Sequence, residues 1–195
     1  PEAFSEIRDL VTAEKAADFH ERWVLGYGHA SVAEHAVIQM AVENISRLAC
    51  DTLEDNRLAS YTEKSSRFQI LDKDSFHVPE ELQSVPELEQ IYIGGCKQLF
   101  ESYEQLLEGV TEYLRINVPQ RDKEREGAYN LRLRRQAIDS CRFVLPAATL
   151  TNVGVSMNAR SMEHAIRKLL SANLVEENDI GQIIKEQGRI ITPTL

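Results

Sequence analysis

Two short stretches of the chain concentrate polar residues that a protein core would not select. One comprises residues 57–67, and the other combines Arg142 with residues 158–160. Ser65 and Arg67 lie in the first stretch, where a hydroxyl, turn amides and a guanidinium can hold a phosphate together, because an arginine fork matches phosphate oxygens. The pattern therefore indicates a candidate anion site. Taken alone, these two residues are more typical of a loop salt bridge.

A stretch with two histidines raises the question of a metal site. His29, Glu34 and His35 do not follow the His-Glu-x-x-His spacing, and no cysteine or further histidine stands at a ligand interval. We therefore predict no metal site. By themselves, Glu34 and His35 are more typical of a helix-start carboxylate and a hydrogen-bonded histidine.

The cysteines are odd in number, widely spaced and without a Cys-x-x-Cys pair: Cys50, Cys96 and Cys141. This pattern predicts buried free thiols in a reducing compartment rather than a disulfide or zinc framework. A catalytic thiol is possible, but no feature of the sequence supports it.

Composition bounds the class of protein. With 195 residues, 43% of them hydrophobic, the chain can bury one substantial core, and we predict a single domain over residues 1–195. Its 31 acidic and 22 basic residues give a net charge of -9, which disfavours general nucleic-acid binding but allows a small phosphorylated ligand on local arginines.

The apolar runs are shorter than the roughly 18 residues of a membrane span, and the first residues show no signal pattern. We expect a cytoplasmic protein.

Read in order, the polar stretches form a series. Residues 28–35 read Gly-His-Ala-Ser-Val-Ala-Glu-His, residues 56–68 read Asn-Arg-Leu-Ala-Ser-Tyr-Thr-Glu-Lys-Ser-Ser-Arg-Phe, residues 142–146 read Arg-Phe-Val-Leu-Pro, and residues 158–161 read Asn-Ala-Arg-Ser. This order and spacing resemble the flavin-dependent thymidylate synthases, whose motifs are Gly-His-x-Ser-x-x-Glu-His, Arg-His-Arg followed by Ala-Ser-x-Asn-Glu-x-Ser-x-Arg-Tyr, Arg-x-x-Leu-Pro, and Asn-x-Arg-Ser-Leu. The resemblance covers roughly residues 20–180, and no single motif would suffice alone.

The resemblance implies two sets of binding residues. One set matches positions that contact flavin in the family: His29, Ser31, Glu34, Arg57, Asn158 and Arg160. The other matches the loop that holds dUMP, with a last arginine that family members contribute from a neighbouring subunit: Glu63, Lys64, Ser65, Ser66, Arg67 and Arg142.

The resemblance also implies an activity. In the family, FAD reduced by NADPH passes a hydride to the nucleotide, and methylenetetrahydrofolate supplies the one-carbon unit that converts dUMP to dTMP. No protein cysteine attacks the uracil there, so catalysis rests on positioning and electrostatics, and we assign no catalytic side chain. Family members are homotetramers with sites where subunits meet, so a homotetramer is expected.

The chain departs from the family at several positions. Asp55 and Asn56 stand where the family has an arginine and a histidine, Thr62 replaces an asparagine, Phe68 replaces a tyrosine, and Leu169 replaces a second nucleotide-binding arginine. Reversing a charge about 4 Å from an anionic ligand could cost on the order of several kcal/mol.

These departures leave two other hypotheses open. The chain could be a catalytically weak or inactive paralogue that binds flavin or nucleotide, or the structural half of a larger synthase assembly. It could also be an unrelated helical interaction protein with accidental motif matches.

The periodic spacing of apolar residues predicts the strands and helices that must position these binding residues. Period-two alternation predicts strands over residues 37–45 and 149–157, and a further short strand could lie at 68–72. Residues 60–66 read as a polar turn. Helical spacing predicts helices over 2–23, 46–56, 88–114, 123–143, 158–170 and 176–185.

Two details of these helices can be tested. A capping box of Ser84 and Glu87 around Pro86 should start the long helix at 88–114. Arg132 and its neighbours on the next helix should form a solvated face paired with acids. Because the strands lie among long helices without a β-α-β rhythm, we predict an α+β fold with a mainly antiparallel sheet flanked by helices.

Overall fold

The computed structural model describes Arg8 and residues 12–192, without the side chains of residues 13, 25 and 30. The first part of the helix predicted over residues 2–23 lies outside the described residues. The chain divides into two compact units. Unit 1 contains the described residues of 1–41, 52–61 and 154–195, and unit 2 contains 42–51 and 62–153. The single domain over 1–195 stays a prediction.

Three strands form one sheet in the order β1-β3-β2: β1 (Val37–Ser46), β2 (Ala59–Glu63) and β3 (Leu150–Asn158). The amide of Ala159 donates to the carbonyl of Ala36, and the amide of Arg47 donates to the carbonyl of Thr149, so opposite ends of β1 and β3 pair. This pairing is antiparallel. The predicted α+β class and antiparallel sheet are confirmed.

The predicted polar turn at 60–66 was wrong for residues 60–63, and the possible strand at 68–72 was wrong. The predicted polar turn is mostly β2, where Ala59, Tyr61 and Glu63 are partly buried while the residues between them are exposed. Period-two burial is hard to read there because most of the residues are polar. The possible strand at 68–72 is irregular, and Phe76 instead forms an isolated bridge with Thr149.

A bulge-like irregularity changes the phase of β1. Ile38 is buried, but alternation breaks at Asn44, which has φ of 58° and is followed by buried Ile45. The amide of Asn44 donates to Oδ1 of Asn152 at 2.8 Å. Asparagine tolerates this left-handed conformation better than most residues. The shift lets Ser46 accept a hydrogen bond from the amide of Ala49 at 3.0 Å and so start α2.

Unit 1 is mainly helical. Asn158 caps α5 by accepting a hydrogen bond from the amide of Ser161 at 2.8 Å. A Cβ at Gly181 would lie 2.9 Å from Cβ of Leu169, so the glycine allows α5 and α6 to pack closely. The helical segments in or entering this unit are α1 (Ala13–Phe19), a π-helical segment (His20–Gly26), a 3₁₀ helix (Ala30–His35), α2 (Arg47–Glu54), α5 (Ala159–Leu170) and α6 (Val175–Ile191).

Unit 2 contains the long helices α3 (Pro86–Asn117) and α4 (Glu126–Cys141), which pack through a cluster that includes Leu114, Leu133 and Ala137. Short 3₁₀ helices lie at Glu80–Leu82 and Arg142–Val144.

The predicted capping box of α3 was wrong. Val85 is the N-cap and makes no side-chain cap, while Oγ of Ser84 donates to the carbonyl of Glu81. Pro86 occupies the first turn, where its missing N–H costs nothing. On α4, Arg132 pairs with Glu124 at 2.7 Å, as expected for an arginine beside acids, although both side chains are largely covered.

All three cysteines are free and buried, which confirms that prediction. Among helices in the described residues, none has both the length and the apolarity needed to cross a bilayer.

Candidate functional site

The twelve predicted binding residues form two sets of six, and each set lies within one unit. Those matched to the dUMP loop lie in unit 2, and those matched to flavin contacts lie in unit 1.

Glu63, at the end of β2, is held by its own unit. Its Oε1 accepts from Oγ1 of Thr151 at 2.9 Å and lies 3.0 Å from Nη1 of Arg47, while its Oε2 accepts from Nη2 of Arg47 at 3.3 Å. This two-point contact fixes the carboxylate. Glu63 therefore anchors the start of the following turn, and ligand contact by its carboxylate stays a prediction.

The turn that follows β2 is closed by its own hydrogen bonds. The amide of Lys64 donates to the carbonyl of Asn152, the amide of Phe68 donates to the carbonyl of Ser65, and the amide of Arg67 donates to Oγ of Ser65 at 3.3 Å. A serine hydroxyl that accepts two residues onward is a common turn device. The amides of Lys64, Arg67 and Phe68 are thus committed to bonds within unit 2.

Two arginines share the carboxylate of Asp139 on α4. Nε of Arg142 donates to Oδ1 at 2.9 Å, and Nε of Arg67 lies 3.4 Å from the same oxygen. Nη1 of Arg142 also reaches Oγ of Ser66, at 3.5 Å. The Arg142 side chain is 20% exposed and that of Arg67 is 60% exposed. Arg142 is thus held in place beside a turn of its own chain, while Arg67 is open to solvent.

Positive charge exceeds negative charge around this turn. Arg135 lies over the ring of Phe68, 5.1 Å from its centroid, and Lys64 is exposed. With Arg67 and Arg142, they give four cations near the carboxylate of Asp139, while the carboxylate of Glu63 at the start of the turn is paired with Arg47. In a chain of net charge -9, this cluster is a local exception that suits a small anion. We name the group of Ser65, Ser66, Arg67, Asp139 and Arg142 the arginine turn.

In unit 1, His29 belongs to an exposed stack of aromatic rings. The rings of Trp23 and Tyr27 lie 5.1 Å apart, and those of Tyr27 and His29 lie 6.4 Å apart with an interplanar angle of 15°. Gly28 has φ of 73°, a conformation that side chains rarely adopt, and it sets the bend before His29. The stack presents aromatic faces on which a planar ring could lie.

The other flavin-matched residues form one further contact. Nη1 of Arg160 on α5 pairs with Oε1 of Glu34 in the 3₁₀ helix. Oδ1 of Asn158 is used as the helix cap, so its amide N–H₂ remains to donate. Ser31 and Arg57 are exposed. The structure thus brings Glu34 and Arg160 together, but it shows no contact between them and Arg57.

A groove of about 530 Å³ also lies in unit 1. Its walls include Met162 and Ile166, and its basic lining includes Arg167 and Arg189. Both arginines lie in last helical turns, where they stabilise the carbonyl ends of α5 and α6. The basic lining therefore has a structural explanation.

The departures from the family pattern have structural explanations as well. Nζ of Lys168 lies 2.5 Å from Oδ2 of Asp55, and this hydrogen bond, together with the ammonium charge, lowers the pKa of Asp55. Asn56 is 4% exposed and donates to the carbonyl of Leu53. Leu169 is fully buried. The anion at position 55 is thus neutralised within unit 1, and position 169 belongs to the core.

Three contributors escaped the sequence reasoning: Arg47, Asp139 and Lys168. Asp139 had a signal, because it precedes Arg142 by three residues at the end of a helix. Lys168 stands beside position 169 in the sequence, but its pairing with Asp55 had no signal, since the two residues are 113 positions apart. Within the described part of the chain, no group of three or more His, Cys, Asp or Glu side chains is arranged to hold a metal ion.

The fold is α+β, and the arginine turn sets two guanidiniums beside the hydroxyl of Ser66, a group of donors that can hold a small anion. The chain belongs to the thymidylate synthase complementing protein family, whose model matches residues 2–194. This membership confirms the resemblance seen in the sequence.

Named relatives fall into two groups. The UPF0159 protein of Chlamydia muridarum is 34% identical over 184 residues, which is 91% of this chain and 35% of that protein. The flavin-dependent thymidylate synthase of Thermococcus onnurineus is 32% identical over 155 residues, 77% of this chain and 53% of that protein. That of Clostridium tetani is 28% identical over 167 residues, 86% of this chain and 63% of that protein. The chain thus spans about a third of the first relative and about half to two thirds of the others.

Proposed function

We propose that this chain takes part in flavin-dependent thymidylate synthesis, converting dUMP to dTMP with methylenetetrahydrofolate and NADPH. Membership of the family and the named flavin-dependent relatives support the reaction class. The observation that carries the proposal is the arginine turn, where Arg67 and Arg142 share one carboxylate beside the hydroxyls of Ser65 and Ser66.

The arginine turn would bind the phosphate of dUMP. Arg142, held by Asp139 and Ser66, supplies a preorganised guanidinium, and exposed Arg67 closes on the phosphate from solvent. Asp139 balances part of this charge when no ligand is bound, so the two arginines do not repel each other without compensation. Glu63, fixed by Arg47, holds the turn at the end of the sheet.

The residues matched to flavin contacts have side chains of the chemical types that would bind FAD. The exposed rings of Trp23, Tyr27 and His29 can stack against a planar ring, and the guanidinium of Arg160 can face a pyrophosphate oxygen. Bound FAD would supply the hydride-transfer chemistry that no amino-acid side chain provides. The residues of unit 1 would orient it, with Glu34 holding Arg160 in place.

One experiment tests the whole proposal. The purified chain is assayed for bound flavin by its visible spectrum and for NADPH oxidation with and without dUMP. Flavin occupancy with dUMP-dependent oxidation, and dTMP formed when methylenetetrahydrofolate is added, is the expected result. A colourless protein that neither takes up added FAD nor binds dUMP would overturn the proposal.

A second candidate is favoured by the length comparison. Because the chain spans about a third of the UPF0159 relative, it could be a weakly active or inactive nucleotide- or flavin-binding part of a larger synthase assembly. Asp55 and buried Leu169, where the family has arginines, point the same way. Tight binding of FAD and dUMP without NADPH oxidation or dTMP formation would select this candidate over the first.

A further inference from the structure

The groove of about 530 Å³ in unit 1 combines an apolar lining with a basic one. Met162, Ile166 and Leu170 on α5 contribute apolar side chains to it. Among its lining residues in the described part of the chain, four are basic and one is acidic. The charged residues are Arg160, Glu163, Arg167, Lys185 and Arg189. In a chain of net charge -9, this lining is a second local excess of positive charge.

The helices α5 and α6 run side by side in opposite directions along the groove. A Cβ at Gly188 would lie 2.8 Å from Cε of Met162, and a Cβ at Gly181 would lie 2.9 Å from Cβ of Leu169. The start of α5 therefore faces the end of α6, and the end of α5 faces the start of α6. Since the lining follows α5 from Ala159 to Leu170, the groove extends along about 16 Å of helix.

The two cations on α6 have no acidic partner among the described residues. Lys185 is half-buried and Arg189 is exposed, and neither makes an ion pair or a side-chain hydrogen bond within that part of the chain. On α5, Arg167 lies 3.8 Å from Glu163, and both side chains are largely exposed. A position in the last helical turn accounts for Arg167 and Arg189, but Lys185 lies inside α6. A half-buried ammonium without a counterion favours an anionic ligand.

One end of the groove adjoins the residues matched to flavin contacts. Ala33 and Arg160 both line the groove, and Arg160 pairs with Glu34, the residue after Ala33. Val24, another lining residue, directly follows Trp23 of the aromatic stack. A ligand in the groove would therefore have one end beside the position that the proposed function gives to the flavin.

We propose that the groove binds the tail of methylenetetrahydrofolate, which consists of the benzoyl ring and the glutamate carboxylates that follow the pterin. This inference rests on the proposed function, because that reaction needs the folate beside the flavin and the nucleotide. The apolar lining suits a benzoyl ring, and the basic lining suits the carboxylates. About 16 Å of helix leaves room for the ring and an extended chain of roughly two residues.

The spacing of the cations favours carboxylates over the phosphates of NADPH. A phosphate is best held by donors that converge on one point, as those of the arginine turn do. Arg160 and Arg167 are seven residues apart, nearly two turns of α5, and Lys185 and Arg189 are about one turn of α6 apart. Cations on separate turns of two helices suit separate carboxylates along a glutamate chain.

Titration with tetrahydrofolate that carries one or three glutamates tests the basic lining without turnover. The proteins are wild type, Lys185→Gln with Arg189→Gln, and the matched control Lys97→Gln with Arg115→Gln. The control removes the same charge from unit 2, where each cation makes only a loose ion pair at 3.8 Å. Each added carboxylate should strengthen binding by about two- to fivefold, so wild type should bind the triglutamate about tenfold more tightly than the monoglutamate.

The groove variant should lose most of this tenfold gain, and the control should keep it. Ile166→Asn should weaken binding of both folates by the same factor, because it changes the contact with the ring and not the charges. The flavin spectrum and dUMP affinity of the groove variant should equal those of wild type. Circular dichroism checks that each variant is folded.

The isolated tail, p-aminobenzoyl-triglutamate, separates this inference from the proposed reaction. A wild type that binds the tail in a manner sensitive to Lys185 and Arg189, but oxidises no NADPH with dUMP, would support the groove and overturn the reaction. Equal affinity of wild type for the two folates, or an equal gain in the groove variant, would overturn the inference. So would 2′,5′-ADP that binds wild type more tightly than the tail and loses affinity in the groove variant, since the groove would then hold phosphates.

Discussion

Replacing Arg67 separates ligand binding from folding more cleanly than any other change in the arginine turn. Its contact with Asp139 spans 3.4 Å between side chains that are 60% and 52% exposed, so the pair should contribute no more than about 1 kcal/mol to folding. A charge-assisted hydrogen bond to phosphate contributes about 1.5–3 kcal/mol. Arg67→Ala should therefore weaken dUMP binding by about 10- to 150-fold while the protein stays folded.

Titration calorimetry with dUMP on wild type, Arg67→Ala and Arg67→Lys measures this effect. The lysine variant should recover only part of the affinity, because an ammonium cannot present a paired fork. Arg115→Ala is the matched control, since it removes an arginine of the same unit that is 61% exposed and lies 3.8 Å from Glu112, outside the arginine turn. Equal dUMP affinity in wild type and both Arg67 variants would refute the reasoning. Unfolding of the alanine variant would show that the ion pair matters far more than its exposure indicates.

Two further predictions concern stability. Gly181→Ala should destabilise the protein by about 1–3 kcal/mol in urea unfolding, because its Cβ would meet that of Leu169 at 2.9 Å, whereas Gly127→Ala, with open space around it, should be near neutral. The hydrogen bond from Arg132 is the main reason that the pKa of Glu124 is lowered to about 2. The contribution of the Glu124 carboxylate to stability is therefore complete above its unfolded pKa near 4.5 and is lost as the pH falls towards 2. Urea unfolding of Glu124→Gln and wild type should therefore differ most at pH 5 and converge below pH 3; a constant difference would contradict the assignment.

The regular elements were predictable because their burial follows simple periods. The 32-residue helix α3 and the strand β3 show clear apolar repeats, and both were predicted. The strand β2 was missed since a five-residue segment of mostly polar side chains is held by pairing with β3 rather than by an apolar face. The start of α3 was mispredicted for a local reason: Ser84 satisfies the carbonyl of Glu81 instead of a helix amide.

The candidate binding residues could be predicted from the sequence, but the oppositely charged side chains that pair with them could not. The resemblance to the family placed Ser65, Arg67 and Arg142 in one candidate site, and the structure adds Asp139, whose carboxylate connects both arginines. The carboxylate of Asp139 decides whether the two guanidiniums repel each other or act together on one ligand. Under the proposed function, the phosphate of dUMP would compete with this carboxylate, so the position of Asp139 on α4 would affect nucleotide affinity.

Charge pairing and burial also affect how the departures from the family pattern at positions 55 and 169 are interpreted. An aspartate in place of an arginine suggests a site that repels anionic ligands, yet Asp55 is paired with Lys168 at 2.5 Å, so the two positions together carry no net charge. An arginine at position 169 would have to replace a fully buried leucine whose Cβ sits against Gly181. The neighbouring position on α5 is more exposed and can carry a cation. The chain places that cation at position 168, where the side chain is 29% exposed and can be held by an acid. Lys168 thus balances the charge of Asp55 within unit 1, while Leu169 packs in the core of that unit.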